Sequence, residues 1–419
     1  MSGFKKTVLF TGAGAVVPWG ARKTWEITEL IRQDRVYRSI RDQPLGDWLY
    51  EMLAAHYHQD KDSVNFETIL NALEYLITFY WAKDLNGRAA YKNVMPAFFE
   101  DKEDFAEIMD FDGIYQKNQR GWQSEPLPNE FYSFWADRRT FSENVYRRFI
   151  NIIIKEVQRY SNAVGEHAEL NGLLKDFLLS RRGILRCYTT NYDRIIPDIF
   201  KGDLFEGFTE GEGMMKFDPG RVLLDEEVDT YYNLHGSAHY DLDFPGNVKL
   251  QKDKCVSDFG SGSSSVADQD SRILYHSNII SGFNKTGRIL ANPFSQFYHR
   301  FYQDCLTADE LFIIGYSFGD IHLNKAMRNA IEANKKLRLT AIDYLSFPGE
   351  DFEVSNHDWL NPNRKLGKIF GATYHIWEVT KIEDGDRVGI YRKGFERFLR
   401  RREWQSGYCS GQVEDKEEW

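Results

Sequence analysis

The chain of 419 residues is poor in cysteine, and its thiols are not paired in sequence. Its four cysteines, Cys187, Cys255, Cys305 and Cys409, lie far apart, and no Cys-x-x-Cys pair occurs. This spacing argues against the disulfide framework of small secreted domains and against the paired thiolates of a zinc knuckle. We therefore expect buried or inert thiols and no zinc.

The sequence also lacks long apolar runs and an excess of positive charge. No apolar stretch is long enough to span a bilayer, and residues 1–6 lead into a strand pattern without the apolar region and cleavage site of a signal peptide. The formal net charge of −10 argues against a broad electrostatic surface for nucleic acid. We expect a cytoplasmic protein that binds neither membranes nor nucleic acid directly.

Apolar and aromatic residues are abundant enough for a large core. Hydrophobic residues make up 42% of the chain and aromatic residues 15%, which is too apolar for general disorder. The length allows two structural units, or one large domain with an insertion.

Residues from about 25 to 180 carry helical patterns rather than strand patterns. One apolar face recurs at helical spacing from Phe66 to Tyr80, and a second helix is predicted to begin near Thr140, where Thr140 and Glu143 have capping-box spacing. We predict a helical insertion at 25–180, a nucleotide-binding core formed by 1–24 and 181–400, and an acidic tail at 401–419. The serine- and glycine-rich residues 257–265 are predicted to form a loop.

Short apolar runs along the chain are followed by small and polar residues. The runs are predicted as strands, and further strands are predicted at 337–342 and 372–377. The segments after the first four runs are Gly12-Ala13-Gly14, Thr189-Thr190-Asn191-Tyr192-Asp193, Leu234-His235-Gly236 and Gly315-Tyr316-Ser317-Phe318-Gly319-Asp320. Because an open parallel sheet binds ligands at the carboxyl ends of its strands, we predict an α/β fold, Rossmann-like, with a mostly parallel sheet and one functional edge.

The glycine turn after the first strand could hold a phosphate. Gly12 and Gly14 allow backbone N–H groups to approach an anion at a helix N-terminus. The third glycine of the dinucleotide fingerprint is missing, since Val17 occupies its place, and no lysine follows to make a P-loop. A tight turn without a ligand is the alternative.

The polar residues after the second and third strands have two interpretations each. Thr190, Asn191 and Asp193 offer a hydroxyl, an amide and a carboxylate that could hold ribose or position a water, or they could form an Asx-turn or helix cap before Ile195. His235 could act at the same edge, or it could pack and hydrogen-bond structurally.

Taken together and in this order, the segments resemble the sirtuin family. Gly12-Ala13-Gly14 is similar to its glycine turn, Asn191 and Asp193 match its Thr-x-Asn-x-Asp motif, Leu234-His235-Gly236 matches its catalytic histidine segment, and Gly315-Tyr316-Ser317 is similar to its late Gly-x-Ser. The resemblance covers about half of the chain and does not include residues 25–180.

The sequence departs from the family pattern in ways that disfavour a protein deacylase. Val16 stands where the family has serine, Thr190 stands where it usually has glutamine, and its four-cysteine zinc module is absent. The pattern looks most like the sirtuin-like NAD hydrolases of bacterial anti-phage defence.

This resemblance implies cleavage of NAD, which is a substrate here and not a resident cofactor. Asn191 would orient the ribose or the attacking water, His235 would be the general base, and Asp193 would support the ribose or the developing charge. Loss of nicotinamide gives the ribose oxocarbenium character, as in glycoside hydrolysis, and no metal is required. The residues implied for nucleotide binding are Gly12, Ala13, Gly14, Thr190, Gly315, Ser317 and Asp343.

The resemblance also implies activation by a separate protein subunit or ligand, and we expect a homo-oligomer. Two alternatives remain open. One is a non-catalytic sensor of NAD or ADP-ribose. The other is a serine hydrolase, because Gly315-x-Ser317-x-Gly319 satisfies the nucleophile-elbow pattern, with candidate partners Asp343, Asp351, Asp358, His357 and His375 downstream.

Overall fold

A computed structural model describes most of the chain. The described residues are 5–39, 41–56, 64–84, 111–121, 138–181, 183–211, 214–243, 247–257, 264–267, 273–281, 288–343, 375–377, 388–391 and 393–405.

The described residues form short strands and mostly longer helices. The strands are β1 Lys6–Thr11, β2 Ile184–Thr189, β3 Phe208–Gly211, β4 Met214–Phe217, β5 Thr230–Asn233, β6 Tyr240–Asp243, β7 Asn247–Leu250, β8 Ser264–Ala267, β9 Ile273–His276, β10 Glu310–Ile314, β11 Arg338–Ile342, β12 His375–Trp377 and β13 Val388–Tyr391. The α-helices are α1 Thr24–Arg32, α2 Leu45–His56, α3 Phe66–Asp84, α4 Phe111–Gly121, α5 Arg138–Asn162, α6 Ala168–Leu179, α7 Ile195–Ile199, α8 Pro219–Leu224, α9 Phe294–Thr307, α10 Ile321–Ala333 and α11 Phe395–Arg400. Ala13–Trp19 and Val164–His167 are 3-10 helices.

A seven-stranded sheet with the order β12-β13-β11-β10-β1-β2-β5 contains all the long apolar strands. Each strand in it runs parallel to its neighbours. Counted along the chain, the first five of these strands have the order 3-2-1-4-5 that defines the doubly wound nucleotide-binding fold. The predicted α/β, Rossmann-like fold is thereby confirmed, and the order of the strands reverses between β1 and β10.

Helices cover both faces of this sheet. Tyr188 of β2 packs against Phe301 of α9, with 4.9 Å between ring centroids. Phe312 of β10, one register position away and therefore on the opposite face, packs against Phe177 of α6 at 5.2 Å. Because both faces are buried, the strands read as continuous apolar runs, which is why they can be found in the sequence.

The chain divides into two compact units. The first comprises Met1–Ala21, Gln158–Ser237 and Asn292–Trp419 and contains the parallel sheet; the second comprises Arg22–Val157 and Ala238–Ala291. This grouping places 158–180 with the sheet and 238–291 with the helical residues. The predicted ranges 25–180, 1–24 with 181–400, and 401–419 stay a prediction, and residues 406–419 of the tail lie outside the described part.

The second unit holds most of the predicted helices together with strands that the sequence did not predict. The apolar face of α3 is buried, including Leu70, Leu73 and Ile77. The second helix, predicted to begin near Thr140, is confirmed and begins at Arg138. Hairpins form between β6 and β7 and between β8 and β9. The prediction of a loop through 257–265 is wrong for its last two residues, which begin β8.

Candidate functional site

Five strands of the parallel sheet end at one level, so the predicted segments follow them along one edge. Thr11 pairs in register with Thr189 on one side and with Ile314 on the other, and Thr189 pairs with Asn233. Ile314 pairs in turn with Ile342. This carboxyl edge includes the reversal point between β1 and β10, where folds of this order bind their ligands.

The glycines after β1 pack against the backbone after β10. The N–H of Gly12 donates to Ile314 O at 2.9 Å, and the N–H of Gly14 donates to Gly315 O at 2.8 Å. A Cβ on Gly12 would lie 2.7 Å from the oxygen of Gly315, which is too close for any side chain. The glycines are therefore needed for a close backbone approach within the fold, and the two N–H groups already have acceptors. Ala13, between them, is exposed.

The side chain of Asn191 links the segment after β2 to the segment after β1 by a hydrogen bond. Its Nδ2 donates to Gly12 O at 3.0 Å, and its backbone N–H donates to the hydroxyl of Thr189 at 2.9 Å. The residue is 8% exposed, and no described residue donates to its Oδ1. Because none of the described residues donates to this acceptor, Asn191 can bind the hydroxyl of a ligand or a water.

Thr190 and Asp193 flank Asn191 in different environments. Thr190 is half-buried, and its N–H donates to Thr11 O at 3.0 Å. Asp193 is buried, with Oδ1 accepting from the N–H of Ile195 at 3.0 Å and Oδ2 accepting from the hydroxyl of Tyr160 at 3.1 Å. Burial raises the pKa of Asp193, and these hydrogen bonds oppose the rise.

Asp193 therefore forms the Asx-type contact that the sequence left open, and both of its oxygens are engaged within the protein. The amide of Asn233 holds the same loop, since its Nδ2 donates to the carbonyl oxygens of Asn191 at 3.0 Å and Asp193 at 3.1 Å. Buried polar groups thus fix the loop that carries Asn191. A small cavity of about 20 Å³ lies beside Asn191 and Asp193, which is space for one water.

His235 lies at the same edge and faces the turn after β10. Its Nε2 is 3.2 Å from Oδ2 of Asp320, and the imidazole lies 6.5 Å, centroid to centroid, from the ring of Tyr298 in a nearly parallel orientation. His235 follows β5 and Asp320 follows β10, and two strands, β1 and β2, lie between these strands in the sheet. The contact therefore brings the outermost predicted segments together.

The turn after β10 contains Gly315, Ser317 and Asp320. Gly315 adopts φ +59° and Phe318 adopts φ +56°, and Asn324 holds the turn by donating to Phe318 O at 2.9 Å. Ser317 is exposed, and no described residue hydrogen-bonds its hydroxyl. In this turn, Gly315 and Phe318 adopt the left-handed backbone conformation. In a nucleophile elbow, the strained backbone conformation is instead that of the serine.

The remaining predicted site residue lies one strand further along the edge. Asp343 follows β11 and is half-buried, its N–H donating to Tyr391 O at 3.0 Å. Among the candidate hydrolase partners, Asp351, His357 and Asp358 lie outside the described residues, and of His375 only its place in β12 is described.

Residues 186–363 match the family model described as the SIR2-like domain. This part of the chain is a SIR2-like domain. It contains β2, β5, β10 and β11 and the segments of Asn191, His235 and Ser317, and a domain of this family indicates NAD-dependent chemistry. No curated protein matches the chain in sequence.

Solved structures of sirtuins are similar to the chain at low identity. A structure of Sir2Tm bound to a propionylated peptide is 12% identical, with 88% of this chain and 94% of that chain covered and a TM-score of 0.29. A Sir2 homologue mutant in complex with ADP-ribose is 10% identical, with 88% and 95% covered and a TM-score of 0.32. Sir2 bound to acetylated peptide is 10% identical, with 88% and 94% covered and a TM-score of 0.27. At these scores the fold assignment rests on the strand order of the sheet itself.

The described residues contain neither a metal-binding cluster nor a membrane-spanning helix. Within the described ranges no group of three or more His, Cys, Asp or Glu side chains could hold a metal ion. Likewise, none of the helices in the described part of the chain is long and apolar enough to cross a membrane.

Sequence reasoning missed the partners that fix the SIR2-like site. Asp320 ends the predicted segment after β10, but no role was predicted for it. Tyr160 and Tyr298 were not predicted to contribute to the site. The helix-capping position of Asp320 before α10 has a sequence signal, because Asp is a preferred N-cap. Its pairing with His235, 85 residues away in sequence, has none.

Proposed function

We propose that the SIR2-like domain cleaves the nicotinamide–ribose bond of NAD and acts as an NAD-depleting effector of anti-phage defence. The observation that carries this proposal is that two side chains lie at one sheet edge: Asn191, whose amide oxygen accepts from no described residue, and His235, whose Nε2 lies 3.2 Å from a carboxylate oxygen of Asp320. The first is an acceptor for a ribose hydroxyl or a water, and the second is a base with a matched partner.

The reaction consumes one water for each NAD. The bond between C1′ of the ribose and the nicotinamide nitrogen breaks, its electron pair leaves with nicotinamide, and the water oxygen bonds to C1′. Asn191 orients the ribose or this water, and His235 accepts the proton that the water releases. The products are nicotinamide, ADP-ribose and a proton.

The structure changes the proposed role of Asp193. Because Ile195 and Tyr160 occupy both of its carboxylate oxygens, we assign it the positioning of the Asn191 loop rather than contact with ribose. Gly12, Ala13 and Gly14 are proposed to adjoin the pyrophosphate by their place at the strand reversal, with the N–H groups of Gly12 and Gly14 serving the fold. Thr190, Gly315, Ser317 and Asp343 remain proposed nucleotide contacts at the same edge.

Chromatography of NAD incubated with the protein tests the proposal. The chain is incubated alone and together with its co-encoded neighbours, since we propose that a protein subunit or a ligand activates it. Equal amounts of nicotinamide and ADP-ribose product are expected to accumulate. Intact NAD under every condition would contradict the proposal, and intact NAD that stays bound to the protein would favour the sensor.

A further inference from the structure

The pairing of His235 with Asp320 is nearly closed to solvent. The side chain of His235 is 6% exposed and that of Asp320 is 9% exposed, with 3.2 Å between Nε2 and Oδ2. In such a setting a carboxylate favours a proton on the facing nitrogen and favours the imidazolium over the neutral ring.

The carboxylate of Asp320 is held in place by the start of α10. Its Oδ1 accepts hydrogen bonds from the N–H groups of His322 at 3.0 Å and Leu323 at 3.2 Å, which makes Asp320 the N-cap of this helix. Its backbone N–H donates to the hydroxyl of Tyr316 at 3.1 Å. Oδ1 thus accepts the capping hydrogen bonds of α10, while Oδ2 faces His235. Because the capping bonds hold the carboxylate, they also fix the position of Oδ2.

We infer that Asp320 is a positioning residue for His235, orienting the imidazole and holding its proton on Nε2 so that Nδ1 is the proton-accepting nitrogen. When Nδ1 takes a proton, the carboxylate stabilises the imidazolium that forms, without itself contacting the substrate. The effect of Asp320 on turnover rests on the proposed NAD cleavage. Its effect on the position of the His235 proton does not depend on that proposal.

Among the described residues, two phenols lie beside the pair. Tyr298 of α9 lies against the imidazole, and Tyr316 contacts Asp320. Burial, followed by the nearby charge of Asp320, raises the pKa of Tyr298 well above its usual value, so this phenol stays neutral in the range where histidine titrates. His322, whose N–H donates to Asp320, carries a second imidazole next to the pair, so the signal of His235 has to be identified by a variant.

The variant Asp320→Asn separates the two functions of this side chain. Asparagine caps a helix about as well as aspartate, so α10 keeps its N-cap while the negative charge beside His235 is lost. We expect the pKa of His235, followed by NMR of its ring protons, to fall by about 1–3 pH units. His235→Gln identifies the signal that belongs to this residue.

Turnover gives a second, independent measure. In Asp320→Asn the acid limb of kcat/KM for NAD is expected to move to lower pH together with the pKa of His235. The plateau of kcat is expected to fall about 10-fold or more, with KM little changed, because orientation and charge support act on the transition state.

The matched control is Asp218→Asn. Asp218 caps α8 in the same way, its side chain accepting from the N–H of Arg221 at 3.0 Å. This variant is expected to leave the titration of His235 and the pH profile unchanged. If Asp320→Asn behaves like this control, Asp320 is only a helix cap and the inference is wrong.

The wild-type protein supplies a test that does not depend on the folding of any variant. The ¹⁵N shifts of His235 are expected to show the neutral ring protonated on Nε2, and a ring protonated on Nδ1 instead would overturn the inference. Because the NMR readouts need no turnover, they can support the pairing even if NAD is not cleaved, and in that case only the proposed function fails.

Discussion

At the residue scale, the buried carboxylate of Asp193 shows how polar contacts hold the loop that carries Asn191. Tyr160 donates to Oδ2 and the N–H of Ile195 donates to Oδ1. A hydrogen bond to a buried carboxylate is worth more than one between neutral groups. The loop that presents Asn191 therefore depends on a hydroxyl about thirty residues earlier in the chain.

The variant Tyr160→Phe is expected to lower the free energy of unfolding by about 1–3 kcal/mol, since the buried carboxylate loses a donor. The bond favours the ionised carboxylate, and burial raises the pKa of Asp193. The loss should therefore be small below that pKa and should grow as pH rises through it. Urea unfolding at several pH values measures this.

Tyr298→Phe is the matched control for Tyr160→Phe. The hydroxyl of Tyr298 is buried and makes no hydrogen bond with a described residue, so its removal is expected to leave stability nearly unchanged. Equal losses in the two variants would show that the Tyr160–Asp193 bond contributes nothing specific.

Residue types and order were enough to place Asn191 and His235 at the carboxyl edge of the parallel sheet, but not to find the groups that hydrogen-bond to them. The glycine turn shows the limit most clearly. Its sequence predicts N–H groups that bind a phosphate. In the structure, Gly12 donates its N–H to the carbonyl oxygen of Ile314, the last residue of β10, and Gly14 donates its N–H to the carbonyl oxygen of Gly315. Those acceptors lie about three hundred residues away in the chain, so no local pattern could reveal them.

At the element scale, the turn after β10 and the turn after β1 depend on each other. Gly315 has φ +59°, and a Cβ there would overlap the backbone nitrogen of Ala15. Gly315→Ala is expected to destabilise the protein strongly, by more than the ~1 kcal/mol of an ordinary point mutation, because the conformation is unfavourable for alanine and the space is occupied by backbone. Thermal unfolding measures the loss.

Gly172→Ala is the control at a glycine in α6. A Cβ there meets nothing within 4 Å, and alanine is favoured in a helix interior by about 0.5–1 kcal/mol. A small rise in the midpoint of unfolding is expected. If Gly315→Ala is equally harmless, the close approach of the two turns does not constrain the fold.

Six of the seven strands of the parallel sheet were predicted from the sequence, whereas β13 and the hairpin strands were not. Strands buried on both faces, such as β1 and β10, read as apolar runs. By contrast, β7 is Asn247–Leu250 and β8 is Ser264–Ala267, four residues each with polar positions. Such short segments have neither length nor period to separate them from loops.

At the scale of the whole molecule, the apolar helical faces of the predicted insertion are already buried in the single chain, so they do not require a second subunit. Leu70, Leu73, Ile77, Phe149 and Ile153 are all buried, and Ile152 is half-buried. Their burial therefore gives no argument for an assembly. An activating partner or a homo-oligomer stays a prediction, which rests on the resemblance to defence effectors.

Light scattering combined with an activity assay tests that prediction. We expect NAD cleavage to depend on a change in mass, either a homo-oligomer or a complex with a co-encoded protein. A strictly monomeric mass that does not change with NAD or with the neighbours, accompanied by full NAD cleavage, would refute the assembly.

We propose that Asn191 and His235, at the carboxyl edge of the parallel sheet, cleave NAD. The most direct measurement is the rate of nicotinamide release by the wild type, Asn191→Ala, His235→Ala and Ser317→Ala, with folding verified for each by circular dichroism. The first two variants are expected to lose about 10²–10⁴ in turnover, because positioning and general-base roles act in the transition state, and Ser317→Ala is expected to lose much less. Unchanged release in His235→Ala, together with its abolition in Ser317→Ala alone, would contradict the account.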